Sequence, residues 1–67
     1  MEIKITTPFI KLDQLLKFAG MVSTGGEAKE VIASGLVQYN GEVCLMRGKK
    51  VYPGDEIFFD GETCKVI

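Results

Sequence analysis

The 67-residue sequence contains no histidine and no tryptophan, and the lack of histidine restricts the chemistry that it can support. Histidine is the usual general base near neutral pH and the commonest metal ligand in proteins. The two cysteines, Cys44 and Cys64, form no C-x-x-C pair, so the usual spacings of zinc sites and thioredoxin-like pairs are missing. We therefore predict neither a hydrolase nor a metalloenzyme, and we expect no metal and no cofactor.

Long apolar segments are also missing. No apolar run reaches the ~18 residues of a membrane span, and residues 1–7 alternate polar and apolar side chains instead of forming the core of a signal peptide. We therefore expect a cytoplasmic protein without a membrane partner. In a reducing cytosol the two cysteines are expected to be buried strand thiols, with one disulfide as the alternative.

Neither sign of charge is in excess, because eight Lys and Arg residues stand against nine Asp and Glu residues and give a formal net charge of -1. The total charge therefore predicts no bulk attraction to nucleic acid, and any anion-binding role must come from local arrangement. The length allows one small domain, which we expect to span residues 1–67. The hydrophobic fraction of 46% is ordinary for a folded domain.

The first third of the sequence predicts a strand and a helix. Glu2 to Thr6 alternates with period two, which is typical of a short edge strand. The helix begins either with Pro8 after a Thr7 cap or near Ile10, and it ends at Gly20. Its apolar stripe is formed by Leu12, Leu15, Leu16 and Ala19.

The remainder predicts a second helix and two β-hairpins. The helix covers Glu27 to Ser34 and stops at Gly35. Asn40-Gly41 and Asp60-Gly61 are the residue pairs favoured by two-residue hairpin turns. The resulting registers pair Tyr39 with Glu42, Val37 with Cys44, Ile57 with Cys64, and Glu56 with Lys65. The fold class is α+β: two short helices packed on a small antiparallel sheet with two hairpins and an N-terminal edge strand.

Positive charge is concentrated in one loop. Residues 44–53 contain Arg47, Lys49 and Lys50 and no acidic residue, whereas residues 55–62 contain four acids and no base. A basic loop with a glycine at its centre suits a phosphate backbone, and the acids would keep nucleic acid away from the other side. The alternative is a solvated loop with three ordinary surface charges.

Two more lysines and two aromatic residues are candidates for the same surface. Lys29 lies near the start of the second helix, close to backbone N–H groups of residues 24–26 that could bind a phosphate oxygen. Lys11 is expected on the exposed face of the first helix. The alternative for both lysines is an ordinary solvated position on a helix surface. Tyr52 and Phe58 are possible base-stacking platforms, but single aromatics on short strands are more often packing residues.

These spaced residues resemble the S-four RNA-binding domain, the α-L motif named for a small-subunit ribosomal protein. The resemblance runs from about residue 11 to residue 57 and rests on Lys11-Leu12-Asp13, Leu16, Gly20, Ala28, Ile32, Gly35, Val37, Asn40-Gly41, Val51 and Gly54-Asp55. The sequence is similar in particular to the short, stand-alone bacterial subgroup typified by YaaA and YbcJ. In that subgroup A-K opens the second helix and R-G-K-K fills the loop after the hairpin, as Ala28-Lys29 and residues 47–50 do here.

The resemblance implies non-catalytic binding of structured RNA, with ribosomal RNA, or a ribosomal subunit or its precursor, as the partner. We expect the protein to be a monomer. The expected phosphate contacts are Lys11, Lys29, Arg47, Lys49 and Lys50. The sequence departs from the family pattern at two points. The S-R pair of the wider family falls on Thr24-Gly25, and the arginine of R-L-D is Lys11, which removes a bidentate phosphate fork.

Two other functions are compatible with a small α+β domain of this composition. In the first, the exposed Phe58 and the acidic C-terminal hairpin form a protein-interaction module whose partner is basic. The second is a sulfur carrier of the β-grasp type, but such a carrier needs a C-terminal Gly-Gly, and here the last residues are Lys65-Val66-Ile67. RNA binding is therefore the favoured interpretation, with the protein-interaction module as its alternative.

Overall fold

The computed structural model describes residues 1–67 and contains two helices and seven short strands. The helices are α1 (Leu12–Phe18) and α2 (Gly25–Ala33). The strands are β1 (Glu2–Ile3), β2 (Ile10–Lys11), β3 (Val37–Tyr39), β4 (Glu42–Val43), β5 (Lys50–Val51), β6 (Glu56–Phe59) and β7 (Glu62–Val66). Neither helix has the length and apolar character that crossing a membrane requires.

Five of the strands form one sheet in the order β1-β7-β6-β3-β4. Both predicted hairpins are present in the predicted register, with Tyr39 opposite Glu42 and Ile57 opposite Cys64. Their turns place Asn40 at φ 50° and Asp60 at φ 52°, in the left-handed region that Asn and Asp tolerate better than other non-glycine residues. The Asn-Gly and Asp-Gly turns therefore predicted the strand pairing correctly.

The N-terminal strand is a short edge strand, as predicted, but it covers only Glu2–Ile3 and joins the sheet in parallel with β7. This parallel pairing makes the sheet mixed, although every other strand pair in the sheet is antiparallel. Both edges of the sheet are only two residues long, which limits the unpaired backbone that a flat edge would offer to another chain.

The helices end where predicted but begin at different residues. Gly20 and Gly35 follow the helix ends with φ of 75° and 77°, a conformation that glycine adopts without steric cost. The second helix begins two residues early, at Gly25, because the Thr24 hydroxyl accepts the N–H of Glu27 and caps it.

The first helix begins at Leu12, later than either predicted start. Lys11 is therefore not on the exposed face of this helix, which corrects the expectation from the sequence. It is the residue before the helix, in an extended conformation with φ -72° and ψ 146°, and it belongs to strand β2. Pairing of β2 with β5 holds the chain extended up to this residue and delays the helix.

The core consists entirely of apolar side chains and cysteine, with no buried polar residue. It joins both helices, the five-stranded sheet and strand β5 into one cluster of 11 buried residues: Leu12, Leu15, Leu16, Val22, Ala28, Ile32, Val37, Val51, Ile57, Cys64 and Val66. Both cysteines are free thiols, as predicted. Cys64 is fully buried in a strand, as predicted. The same prediction is wrong for Cys44, which is half-buried and lies just beyond the edge strand β4.

This difference predicts unequal effects of removing the two thiols. Cys64→Ala should lower the free energy of unfolding by about 1 to 2 kcal/mol, because it leaves a small cavity in the core. Cys44→Ala should cost about 0.5 kcal/mol or less, because solvent already reaches that site. Urea denaturation of the two variants measures both values. Equal losses would contradict the unequal burial of the thiols.

Candidate nucleic-acid interface

Strands β2 and β5 form a separate two-stranded ribbon, which brings together two of the predicted site residues. The strands are antiparallel, with Ile10 opposite Val51 and Lys11 opposite Lys50. Val51 is fully buried and Ile10 packs against the core, so the apolar pair faces inward. Side chains alternate along a strand, and both lysines are therefore exposed on the outer face.

Two lysines directly opposite each other are an unfavourable arrangement for a sheet, because like charges repel across the pair. The five-stranded sheet avoids it: Lys65 lies opposite Glu56 on one side and opposite Glu2 on the other. The Lys11–Lys50 pair therefore departs from the pattern that the same chain uses elsewhere. An anion bound between the two ammonium groups would remove the repulsion.

The basic loop, residues 46–49, is fixed to the start of the first helix by its backbone. The N–H of Leu12 donates to the carbonyl oxygen of Lys49 at 2.9 Å, and the N–H of Asp13 donates to that of Arg47 at 3.1 Å. These bonds satisfy two of the four N–H groups that a helix leaves unpaired at its start. They also hold the loop beside strand β2, so Arg47 and Lys49 lie near the lysine pair.

The predicted loop placement is wrong for Lys50, and neither Lys49 nor Lys50 is as free as the alternative of a solvated loop would make it. Lys50 belongs to a strand, and its ammonium lies 4.9 Å from the ring centroid of Phe9. Lys49 is half-buried, with its ammonium 4.8 Å from the ring centroid of Tyr39. Both contacts have cation–π geometry and restrain the two charges at the surface. Arg47, by contrast, is exposed, as predicted.

The Tyr39 ring is itself held by Asp55. The tyrosine hydroxyl donates to one carboxylate oxygen of Asp55 at 2.7 Å, and the backbone N–H of Tyr52 donates to the same oxygen at 2.9 Å. The side-chain amide of Asn40 donates to the other carboxylate oxygen at 3.1 Å. Asp55 therefore ties the turn of the first hairpin to the segment that follows the ribbon, and through Tyr39 it positions Lys49.

These contacts change the acidity of both groups. The hydrogen bond to Asp55, reinforced by burial, raises the pKa of Tyr39 from its ordinary value of about 10 to about 12. Burial of the Asp55 carboxyl opposes its ionisation, but three hydrogen bonds and the nearby charge of Lys49 outweigh that effect. They hold the pKa of Asp55 below its usual range, so the carboxylate is fully charged near neutral pH.

Lys29 is exposed on α2, on a different element from the other four predicted residues. The phosphate contact expected at the start of this helix is weakened by the structure. Glu27 accepts the N–H of Ser23 through its carboxylate at 2.8 Å, while Thr24 accepts the N–H of Glu27. The negative charge of Glu27 is thus held at the helix start, where it repels a phosphate.

We define the basic surface as Lys11, Arg47, Lys49 and Lys50. Three residues that support it were not recognised as site residues from the sequence: Phe9, Tyr39 and Asp55. The sequence did contain a usable signal, because residues 9–11 and 50–52 each combine an aromatic residue, an aliphatic residue and a lysine in alternation. However, strands of two residues are too short for this alternation to identify them without the structure.

The acidic segment 55–62, on which the protein-interaction alternative depends, is less available than the sequence indicated. Asp55 is committed to the hydrogen bonds with Tyr39 and Asn40. Glu56 lies opposite Lys65. The remaining acids, Asp60 and Glu62, flank the tip of the second hairpin and are exposed. Asp55 is therefore occupied within the fold, and Glu56 has a lysine as its cross-strand neighbour.

Comparison with known proteins places this geometry in a family. The model of the S4 domain family matches residues 3–67. The probable ribosome maturation protein RlbA of Bacillus subtilis is 39% identical over 59 residues, which cover 88% of this chain and 83% of that protein. YbcJ of Escherichia coli is 33% identical over 60 residues, covering 90% of this chain and 86% of YbcJ.

The fold is similar as well. The solution structure of YbcJ from E. coli superimposes with a TM-score of 0.75 and 30% sequence identity, covering 98% of this chain and 85% of the other. That structure is described as revealing an αL motif involved in RNA binding. The α-L fold that the residue pattern predicted is therefore confirmed.

The contact between Tyr39 and Asp55 predicts a measurable titration. In a Tyr52→Phe variant only Tyr39 can ionise as a tyrosine, and its absorbance should change near pH 12. Because folding raises this pKa from about 10, the stability it contributes is complete below pH 10 and is lost as the pH rises through 12. Adding Asp55→Asn should return the pKa toward 10. An unchanged titration after that substitution would show that the carboxylate does not hold Tyr39.

Proposed function

The chain belongs to the S4 domain family, and from this premise we propose that it is a non-catalytic protein that binds structured RNA. The observation that carries the proposal is the pair of lysines facing each other on the ribbon. This pair is unfavourable in the free protein and becomes favourable when a phosphate lies between the ammonium groups. The contact of the Lys50 ammonium with the Phe9 ring gives one lysine a structural role, but it leaves the like charges opposite each other, whereas the same chain sets Glu opposite Lys65 in its main sheet.

The phosphate contacts that we propose are made by the basic surface, with Lys29 as an additional contact on α2. The loop backbone is fixed to α1, and two of the lysines rest on aromatic rings, so the charges are largely ordered before RNA arrives. Such ordering lowers the entropic cost of binding. Contacts to phosphates read the shape of a folded RNA and not its base sequence.

The RNA that we propose is ribosomal, bound by a monomer within a ribosomal subunit or its precursor. The support is that a relative sharing 39% of the aligned residues is named a probable ribosome maturation protein. Folded ribosomal RNA offers closely spaced phosphates, which suits a protein with a net charge of -1 and one local cluster of positive charge.

Salt dependence tests the phosphate contacts. With three to five contacts, log affinity for a folded RNA should fall against log salt with a slope of roughly -2 to -4.5. Replacing Arg47, Lys49 and Lys50 by Gln should reduce that slope by roughly 2 to 3 units and weaken binding at low salt by more than about tenfold. Glutamine keeps two methylene groups and a polar end, so it preserves side-chain packing at the surface better than alanine.

Lys65→Gln is the matched control, because it removes one exposed lysine that already lies between two glutamates. It should change affinity and slope little. Fluorescence titration of a labelled RNA hairpin measures both quantities, and thermal melting checks that each variant is folded. A folded triple variant that binds as tightly as the original protein would reject the phosphate contacts.

Sedimentation separates the ribosomal partner from RNA binding in general. The tagged protein should travel with a ribosomal subunit or its precursor in a gradient, and the triple glutamine variant should remain at the top. If the original protein binds the RNA hairpin but stays at the top, RNA binding stands and the ribosomal partner is wrong.

A further inference from the structure

The outer face of the ribbon carries a second pair of side chains beside the two lysines. Extending the register by one residue sets Phe9 opposite Tyr52, on the same side as Lys11 and Lys50. The two rings are in contact, with centroids 6.0 Å apart and planes inclined at 51°. Strand geometry separates neighbouring side chains of one face by about 7 Å, so the aromatic pair borders the lysine pair directly.

The two rings differ in exposure. Phe9 is half-buried and is covered in part by the ammonium group of Lys50, whereas Tyr52 is 47% exposed. The backbone N–H of Tyr52 is fixed by its hydrogen bond to the Asp55 carboxylate, and the Tyr52 ring packs against Phe9. Tyr52 therefore offers an aromatic surface that is held in place by its neighbours and remains open to solvent.

We propose that this face binds one unpaired nucleotide of the RNA, with its base stacked on Tyr52 and an adjacent phosphate between Lys11 and Lys50. Proteins that bind unpaired nucleotides combine such features, a positively charged path for the backbone and an aromatic ring for each base. Stacking needs only a π-face, so the site accepts any base. This inference rests on the proposed RNA binding and adds the kind of RNA structure that the surface selects, which is a bulge or a loop.

Charge complementarity decides between an RNA ligand and an apolar partner. An apolar partner covering Tyr52 would also bury the facing lysines without an opposite charge, at a high desolvation cost. A nucleotide supplies the aromatic base and the negative phosphate at neighbouring positions. The geometry thus assigns the aromatic pair and the lysine pair to one ligand.

The test compares two RNAs that differ in one unpaired nucleotide. The first is a stem with a single bulged nucleotide, replaced by fluorescent 2-aminopurine, and the second is the same stem fully paired. Both are titrated with the original protein, with Tyr52→Ala and with Tyr52→Phe. Phe58→Ala is the matched control, since Phe58 is an exposed aromatic on the outer face of the main sheet. Melting of each variant checks the fold.

The proposal expects the original protein to bind the bulged stem more tightly and to quench its fluorescence. Tyr52→Ala should weaken binding to the bulged stem by roughly tenfold or more and remove the quenching, with no change for the paired stem. Tyr52→Phe and Phe58→Ala should behave like the original protein. The salt slope should be the same for the Tyr52 variants, because no phosphate contact is lost.

Other outcomes overturn the proposal in distinguishable ways. Equal weakening of both RNAs by Tyr52→Ala would mean that the ring only supports the lysines. No effect of Tyr52→Ala, with the loss from the triple glutamine variant intact, would reject stacking and leave RNA binding standing. Failure of the original protein to bind either RNA would reject both proposals.

Discussion

The attachment of the basic loop to the start of the first helix is the constraint on which the rest of the molecule depends. Helix α1 has seven residues, too few to be stable in water by itself. The carbonyl groups of Arg47 and Lys49 pair with its first N–H groups, and its three leucines are fully buried. The same two hydrogen bonds fix the loop. The stability of the helix and the position of the positive charges therefore have a common origin.

Asp55 provides the corresponding constraint at the other side of the loop. Its carboxylate accepts hydrogen bonds from Tyr39, Asn40 and the backbone of Tyr52, which come from two separate segments of the chain. Asn40 in turn accepts the N–H of Glu56 through its side-chain oxygen. A core of 11 residues leaves a small domain with little stability in reserve. Polar contacts of this kind therefore contribute to the geometry of the surface as well as to the fold.

The parts of the fold that the sequence predicted are those with local causes. Asn-Gly and Asp-Gly turns determine a hairpin within a few residues, and helices ended at Gly20 and Gly35 because the left-handed conformation suits glycine. No local sequence feature determines the two-stranded ribbon of β2 and β5. Ile10 and Lys11 become a strand only because Lys50 and Val51, far along the chain, pair with them. Local periodicity therefore predicts Lys11 on the helix, and it does not identify Phe9 and Tyr39 as the rings that support the lysines.

The basic surface shows how a chain with a net charge of -1 can present a positive field. Screening at physiological salt limits the reach of an exposed charge to about 8 Å, so the field felt by a ligand depends on near neighbours and not on the total. Glu2 and Glu56 lie opposite Lys65 in the strand register, and the Asp55 carboxylate is hydrogen-bonded to Tyr39. Lys11 and Lys50 face each other without an acidic residue between them. The unequal distribution of charge, and not its sum, therefore makes one face suited to a polyanion.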